Sequence, residues 1–173
     1  MQQREADGMK RLTPKQQNYV RNGHRMAQRY PRGARLFSNA NRVLIRLTGG
    51  RLGGTMQGLQ VGLLTTTGRR SGRTRTVPVI CLNDGSRFLV AASNSGLDTP
   101  PAWCLNLRAQ PNAEMDTRTG AERVVARELT ESERDEAWGR LLEYNPILSG
   151  YQSCTERRIA VFALDRLQKQ GSA

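Results

Sequence analysis

The sequence predicts an α+β domain built on a small barrel-like sheet of about six mostly antiparallel strands, with intervening helices and a helical N-terminal extension. Two observations carry this prediction. Residues 61–93 contain short runs of β-branched and apolar residues that Gly-containing turns separate, a pattern typical of a strand meander. The later strands and helices do not alternate regularly, which argues against the βαβ units of a parallel sheet.

Residues 1–52 form a basic extension with two predicted helices. Thr13 and Pro14 supply a cap and a first-turn proline for a helix that runs to about Tyr30. A second, amphipathic helix is predicted over residues 34–47, where apolar residues recur at helical spacing and arginines occupy polar positions. Such a helix packs on the domain or lies on an anionic membrane surface, and both alternatives stay open.

The main domain is predicted over residues 53–167 and begins with three strands. They cover residues 61–67, 74–82 and 87–93. Asn83-Asp84-Gly85 is a strong hairpin turn between the last two strands. Thr99-Pro100-Pro101 then caps a short helix over residues 102–108.

The C-terminal half is predicted to contain a hairpin, a capped helix and a final strand. The predicted elements are a hairpin over residues 113–128, a helix over 131–143, a loop over 147–156, a strand over 158–164 and a flexible tail over 168–173. Thr130 and Glu133 form a capping box, in which each side chain satisfies an amide at the start of the helix.

The net charge of +12 is concentrated near the N-terminus, since residues 1–60 carry +10 and the rest of the chain carries +2. A nucleic-acid-binding domain normally spreads its positive charge along its binding face. Aromatic residues make up only 5% of this chain, too few for a base-stacking platform. Nucleic acid is therefore not expected as a partner, and a basic module that binds RNA or a membrane stays as the alternative function.

The composition also bears on catalytic and metal sites. The three cysteines are widely spaced and the single histidine, His24, is expected at the surface, so neither a metal site nor a Ser-His-Asp triad is expected. No apolar run approaches the ~20 residues of a membrane-spanning helix, and no signal-peptide core follows Met1. We therefore expect a cytoplasmic protein.

Residues 67–75 form a basic turn between the first two predicted strands. Gly68 and Gly72 allow tight-turn or left-handed backbone geometry, so that backbone amides can approach an anion. Four arginines within seven positions add charge-assisted bonds, and the planar guanidinium suits phosphate because it binds two oxygens at once. This arginine loop is predicted to bind an acidic ligand, although a solvated hairpin tip would carry the same charge.

Four segments of the chain, taken together and in order, resemble one known family. They are Leu64-Thr65-Thr66-Thr67-Gly68-Arg69-Arg70-Ser71-Gly72, Arg75-Thr76-Val77-Pro78, Val90-Ala91-Ala92-Ser93 and Pro101-Ala102-Trp103-Cys104-Leu105-Asn106-Leu107. Tyr151-Gln152-Ser153, Thr155 and Arg157 extend the likeness, which covers about residues 53–165. The chain resembles the deazaflavin-dependent nitroreductase family.

The resemblance implies a split β-barrel reductase that binds reduced coenzyme F-420, an 8-hydroxy-5-deazaflavin with an acidic lactyl-phosphate and oligoglutamate tail. It places Arg69, Arg70, Ser71 and Arg75 at the phosphate and tail. The ring system and its pocket are assigned to Thr76, Val77, Pro78, Val79, Ile80, Ala91, Ala92, Ser93, Asn94, Ala102, Trp103, Cys104, Leu105 and Asn106. FMN is an alternative cofactor, since its phosphate would also suit the arginine loop.

The coenzyme of such a reductase gives a hydride to an electron-poor acceptor, here a quinone, an enone or a nitro compound. The resemblance places this acceptor near Ile80, Leu148 and Tyr151. Tyr151 is the expected proton donor because a free pKa of about 10 keeps a tyrosine protonated at neutral pH. Ser93 and water are the alternative donors.

The chain departs from the family pattern at three positions, Ile80, Asn94 and Leu148. Asn94 stands where the family commonly has lysine, so one phosphate contact is missing and Arg73 is the candidate to compensate. Ile80 and Leu148 stand where relatives that reduce bulky nitro compounds often carry tyrosine. Peripheral contact of residues 32–51 with an anionic membrane, on its inner face, is the alternative to packing on the domain, and a homodimer is the candidate assembly.

Overall fold

A computed structural model of the chain describes residues 12–30, 54–56 and 58–167. The helix predicted over residues 34–47, the membrane contact predicted for 32–51 and the tail 168–173 lie outside the described residues. The described helices and strands are α1 Pro14–Arg29, β1 Thr55–Met56, β2 Leu59–Thr67, β3 Thr74–Asn83, β4 Arg87–Ala91, α2 Ala102–Ala109, β5 Asn112–Thr117, β6 Gly120–Glu128, α3 Glu131–Tyr144, α4 Ile147–Ser153 and β7 Val161–Arg166.

Six antiparallel strands close into a barrel. Their order is β2-β3-β4-β7-β6-β5, and β5 pairs back onto β2 to complete the ring. Side chains such as Leu64, Phe88, Met115 and Phe162 fill its interior and are at most 1% exposed. This architecture confirms the predicted α+β barrel, and it follows from strands whose alternate residues point inward to one shared core.

The barrel is split between β3 and β4. Residues Thr74–Ile80 of β3 pair with β2, whereas β4 pairs only with Cys81, Leu82 and Asn83 at the end of β3. Continuing that register would set Ile80 opposite Ala91, but these two residues do not pair. The first part of β3 therefore has an open edge within the described structure.

Two predicted elements differ from the structure: a segment expected as a loop is a helix, and one strand ends earlier than expected. Residues 147–156, expected as a loop, contain helix α4, which has no side-chain cap and a glycine in its middle. Its stability comes from tertiary packing rather than helix propensity, because Ile147, Leu148 and Gly150 are all buried. Strand β4 ends at Ala91 rather than at residue 93, since the chain leaves the sheet there for a 3₁₀ turn, Asn94–Gly96.

Helix α1 has the predicted cap at Thr13 and packs against α4. Val20 is fully buried, and a Cβ on Gly150 would lie 2.8 Å from its Cγ2 atom, so the glycine permits the close approach of the two helices. His24 is half-buried rather than on the surface, and its Nδ1 atom lies 2.9 Å from the Ser95 carbonyl oxygen. None of the described helices is long and apolar enough to cross a membrane.

Candidate functional site

The arginine loop is a tight turn at the tip of the β2–β3 hairpin. The Gly68 amide donates to the Arg73 carbonyl at 2.8 Å, and the Gly72 amide donates to the Gly68 carbonyl at 2.8 Å. Gly72 has a φ of +64°, and a Cβ on Gly68 would lie 2.9 Å from the Ser71 hydroxyl oxygen. Gly72 therefore suits the left-handed backbone of this turn and Gly68 suits its close packing, as the sequence predicted.

The positive charge of this loop has no counterion in the described residues. Arg69, Arg70, Arg73 and Arg75 are all exposed, and their guanidinium groups form no ion pair or hydrogen bond within residues 12–30, 54–56 and 58–167. Seven other arginines do pair with carboxylates: Arg87, Arg108, Arg127, Arg134, Arg140, Arg158 and Arg166. The loop thus offers four uncompensated guanidinium groups to an acidic ligand.

Asn106 on α2 holds the start of the arginine loop in place. Its Oδ1 atom accepts a hydrogen bond from the Arg69 amide at 3.1 Å, and its Nδ2 atom donates to the Thr66 hydroxyl at 3.0 Å. Asn106 is 5% exposed and Thr66 is 2% exposed, so this contact is buried. The side chain thus positions the loop, and the predicted contact of Asn106 with the cofactor stays a prediction.

Two of the three chain segments predicted to border the ring system, residues 76–80 and 91–94, lie on opposite sides of the barrel split. Residues Thr76 to Ile80 are all half-buried, which leaves one face of this stretch partly open. Pro78 has no amide hydrogen to donate and lies in the stretch of β3 that β4 leaves unpaired, a position that suits proline. Across the split, Ala91 is half-buried and Ala92 is fully buried.

Arg157 fixes the loop that follows β4. Its guanidinium group donates to the Ala92 and Ser93 carbonyls at 2.9 and 2.7 Å and to the Leu97 carbonyl at 2.8 Å. Thr155 adds a hydrogen bond from its hydroxyl to Asp98 at 2.8 Å. Sequence reasoning did not place Arg157 in the site, although it noted the residue as part of the family likeness. The local sequence around Arg157 does not indicate that its side chain binds three carbonyl groups about 60 positions away.

Asn94, where the family commonly has lysine, is occupied in its own loop. Asn94 has a φ of +47°, and its Nδ2 atom donates to the Thr99 carbonyl at 2.9 Å. Ser93, next to it, is half-buried and begins the 3₁₀ turn. These two residues border the open side of the split, and their contact with a cofactor stays a prediction.

Helix α2 contributes mostly core residues. Trp103 is 8% exposed and meets Phe162 edge to face, with ring centroids 5.7 Å apart. Cys104 is fully buried, whereas Ala102 is exposed and Leu105 is half-buried. Of the α2 residues predicted to line the pocket, Ala102 and Leu105 therefore have the most side-chain surface available to a ligand.

The three residues predicted to contact the acceptor occupy different environments. Ile80 and Tyr151 line one small cavity, which also touches Tyr19 of α1. Leu148 is 5% exposed and packs in a core cluster with Leu89 and Leu141. The structure thus brings Ile80 and Tyr151 together, while the prediction for Leu148 stays a prediction.

Burial keeps the candidate proton donor and the thiols in their neutral forms. It raises the pKa of Tyr151 to about 12, and a contact with the Ser95 side chain offsets part of this rise. Burial also raises the pKa of Cys81 to about 12 and raises the pKa of Cys104. The phenol can donate a proton at neutral pH, and neither of these two thiols is suited to nucleophilic catalysis.

The chain was compared with known families and proteins. A family model described as F420H(2)-dependent quinone reductase matches residues 38–166. An F420H(2)-dependent quinone reductase of Mycobacterium tuberculosis (strain ATCC 25618 / H37Rv) is 33% identical over 128 residues, which are 72% of this chain and 86% of that protein.

Solved structures give the same result. One, described as an F420-H2 Dependent Reductase (FDR-A), is 32% identical with a TM-score of 0.57 and covers 61% of this chain and 93% of that chain. Another, described as a domain-swapped dimer, is 28% identical with a TM-score of 0.58 and covers 77% and 98% of the two chains. The resemblance drawn from the sequence motifs is confirmed, and with it the split-barrel fold. The chain belongs to the F420H(2)-dependent quinone reductase family and is an oxidoreductase that uses reduced coenzyme F-420.

Proposed function

We propose that this protein passes a hydride from reduced coenzyme F-420 to a quinone, with the coenzyme's acidic tail on the arginine loop and its ring at the barrel split. The observation that carries the proposal is the group of four exposed arginines that have no counterion among the described residues, directly beside the open edge of β3. A phosphate and several carboxylates on one ligand would neutralise this charge.

The residues present fit this coenzyme. Arg69, Arg70 and Arg75 extend from a loop whose backbone is fixed by Asn106, so little order has to be gained on binding. The partly open residues 76–80 provide an apolar face for a flat ring, and the small side chain of Ala91 allows the ring to approach from across the split. Ser71, exposed in the same loop, adds a hydroxyl.

The coenzyme supplies the hydride when it is bound, and the protein's own groups orient the acceptor and provide a proton. The Tyr151 hydroxyl stays protonated because burial raises its pKa to about 12. Tyr151 and Ile80 line the same small cavity, and Ile80 is the last residue of the stretch proposed to contact the ring. A quinone bound there would take the hydride on one atom and a proton from Tyr151 or water on an oxygen.

Titration of the purified protein with reduced coenzyme F-420 and with FMN, monitored by cofactor fluorescence, tests the proposal. We expect saturable micromolar binding of reduced coenzyme F-420 and no such binding of FMN.

Arg69→Ala combined with Arg75→Ala should weaken binding of the coenzyme at least 10-fold at low salt. Arg118→Ala, which removes an exposed arginine from the β5–β6 turn, is the matched control and should bind normally. Equal binding of FMN, or equal affinity of the two variants, would overturn the proposal.

Two assembly proposals go with this function. The relative described as a domain-swapped dimer supports a homodimer, which light scattering on the eluted protein tests directly. Peripheral contact of residues 32–51 with an anionic membrane is the second. Replacing Arg35, Arg42 and Arg46 with glutamine should reduce sedimentation with anionic vesicles, and unchanged sedimentation would contradict this contact.

A further inference from the structure

A small cavity between helix α1 and the end of the barrel split contains a buried polar group that the proposed reaction does not use. The cavity has a volume of about 30 Å³, and its wall includes Ile80 and Tyr151. Most of its other lining is apolar, and the exception is Asn145, the residue that follows α3. Asn145 is 4% exposed.

The side-chain oxygen of Asn145 lacks, among the described residues, the partner that its burial would normally require. Its Oδ1 atom is inaccessible to solvent and forms no hydrogen bond among the described residues, and no other buried side-chain oxygen or nitrogen there shares this condition. The backbone is satisfied, since the Asn145 amide donates to the Leu141 carbonyl at 2.7 Å. An unpaired buried amide costs about 1–3 kcal/mol, so an apolar residue would suit a purely structural position better.

We propose that Asn145 is the polar recognition group of the acceptor pocket and binds an oxygen of the quinone. This inference rests on the proposed function, because it takes the cavity between Ile80 and Tyr151 as the acceptor side of the site. A carboxamide suits a ligand that changes during the reaction. Its N–H group donates to the carbonyl of a quinone, and after rotation of the amide its oxygen accepts from the hydroxyl of the quinol.

The outer wall of the cavity can open to admit a ring. A volume of about 30 Å³ holds a water molecule but not a bicyclic quinone. Tyr19 of α1 and Met56 of β1 lie on this wall and are 37% and 38% exposed. They are joined by one weak contact, from the Tyr19 hydroxyl to the Met56 sulfur at 3.7 Å. Rotation of these two side chains enlarges the pocket without disturbing the buried contact between Val20 and α4.

The test compares wild type with Asn145→Leu, which keeps the branched shape and the number of non-hydrogen side-chain atoms and removes the amide. Asn145 has a φ of −136°, a conformation open to leucine. The probes are 2-methyl-1,4-naphthoquinone and 2-methylnaphthalene, which share a ring system but differ in the two oxygens. Binding to the full-length protein is measured by quenching of tryptophan fluorescence without coenzyme, and the melting temperature of each variant is recorded.

We expect Asn145→Leu to melt at or above the wild-type temperature, to bind the quinone about 10-fold more weakly and to bind 2-methylnaphthalene as well as wild type does. In turnover the KM for the quinone should rise by a similar factor while the affinity for coenzyme F-420 stays unchanged. An unaltered quinone affinity would overturn the inference, and so would an equal loss for both probes.

A second variant covers the case in which Asn145→Leu does not fold. Asn145→Asp keeps the size of the side chain but cannot donate to a carbonyl once it is ionised. Burial raises the pKa of such a carboxyl, so binding is measured up to pH 9, and quinone binding should weaken selectively as the pH rises. If it binds both probes as wild type does, Asn145 is not the recognition group. Failure of the proposed function itself is distinguishable, because wild-type protein would then reduce no quinone and bind no coenzyme F-420.

Discussion

Asn106 on α2 accepts a hydrogen bond from the backbone amide of Arg69, at 3.1 Å, and so connects the barrel's packed helix to the exposed arginine loop. The same side chain donates to the Thr66 hydroxyl at 3.0 Å. Asn106 and Thr66 are both buried, which makes the hydrogen bond between them strong relative to one at the surface. The position of the loop is thus determined by a residue 37 positions away in sequence.

Replacing Asn106 should therefore weaken coenzyme binding without removing any arginine. We expect Asn106→Leu to raise the Kd for reduced coenzyme F-420 about 10-fold, because the loop loses its anchor, and to reduce the free energy of unfolding by about 1–3 kcal/mol. Fluorescence titration and urea denaturation measure the two effects. Thr66→Val removes the hydrogen bond from Asn106 and a long one from the Thr66 hydroxyl to the Arg75 carbonyl. It leaves the bond between Asn106 and the Arg69 amide in place and should change the Kd less. A wild-type Kd in Asn106→Leu would show that the anchor does not matter for binding.

Removing the Tyr151 hydroxyl should slow the chemical step. Tyr151→Phe is expected to lower kcat at least 10-fold with little change in coenzyme affinity, since the buried phenol remains protonated and able to donate. Single-turnover absorbance of the coenzyme in H₂O and D₂O separates this step from product release. Unchanged turnover would assign proton donation to Ser93 or to water instead.

Tyr151 should also contribute a recognisable pH dependence to stability. Its pKa is about 12 in the folded protein and about 10 in the unfolded chain. The unfolded chain then loses this proton first, so the stabilisation is complete below pH 10 and is lost as the pH rises through 12. Urea denaturation at pH 9 and pH 11.5 should show a steeper loss in wild type than in Tyr151→Phe, by up to about 2 kcal/mol. Parallel profiles would contradict the assignment.

Arg157 should be far more important than its sequence neighbour Arg158. Arg157→Met leaves the Ala92, Ser93 and Leu97 carbonyls without their donor, and we expect a loss of about 2–4 kcal/mol in unfolding free energy and weaker coenzyme binding. Arg158→Met removes only exposed ion pairs and should cost at most about 1 kcal/mol. Equal losses in the two variants, measured by thermal and urea unfolding, would refute the positioning role.

Gly96 is predicted to be intolerant of any side chain. It has a φ of +74°, and an added Cβ would lie 2.7 Å from the Cys154 Cβ and 2.8 Å from the Tyr151 carbonyl oxygen. Gly96→Ala should therefore destabilise the protein by about 3 kcal/mol or more. Gly85→Ala, with a φ of +66° but no atom within 4 Å of the added carbon, should cost only about 1 kcal/mol. Similar melting temperatures for both variants would contradict this difference.

Local sequence patterns were sufficient for most of the fold. The capping residues Thr13 and Thr130 begin helices where predicted, and Asn83-Asp84-Gly85 turns between two strands. Helix α4 escaped prediction because its sequence has weak helix propensity, and contact with Val20 and the core stabilises it instead. The strand hairpins were predictable because their pairing is local, whereas the closure of β5 onto β2 is not.

By itself, the sequence determined which residues carry charge and where the backbone can turn: the arginine loop, its two glycines and the family motifs are all visible in order. Only the tertiary structure decided which side chains are available for binding. It places Trp103 and Cys104 in the core and uses Asn106 and Arg157 to position loops. It leaves the Asn145 oxygen without a partner in the part of the chain that the structure describes. The physical reason is that hydrogen-bond partners and burial depend on residues distant in sequence, which a local pattern does not specify.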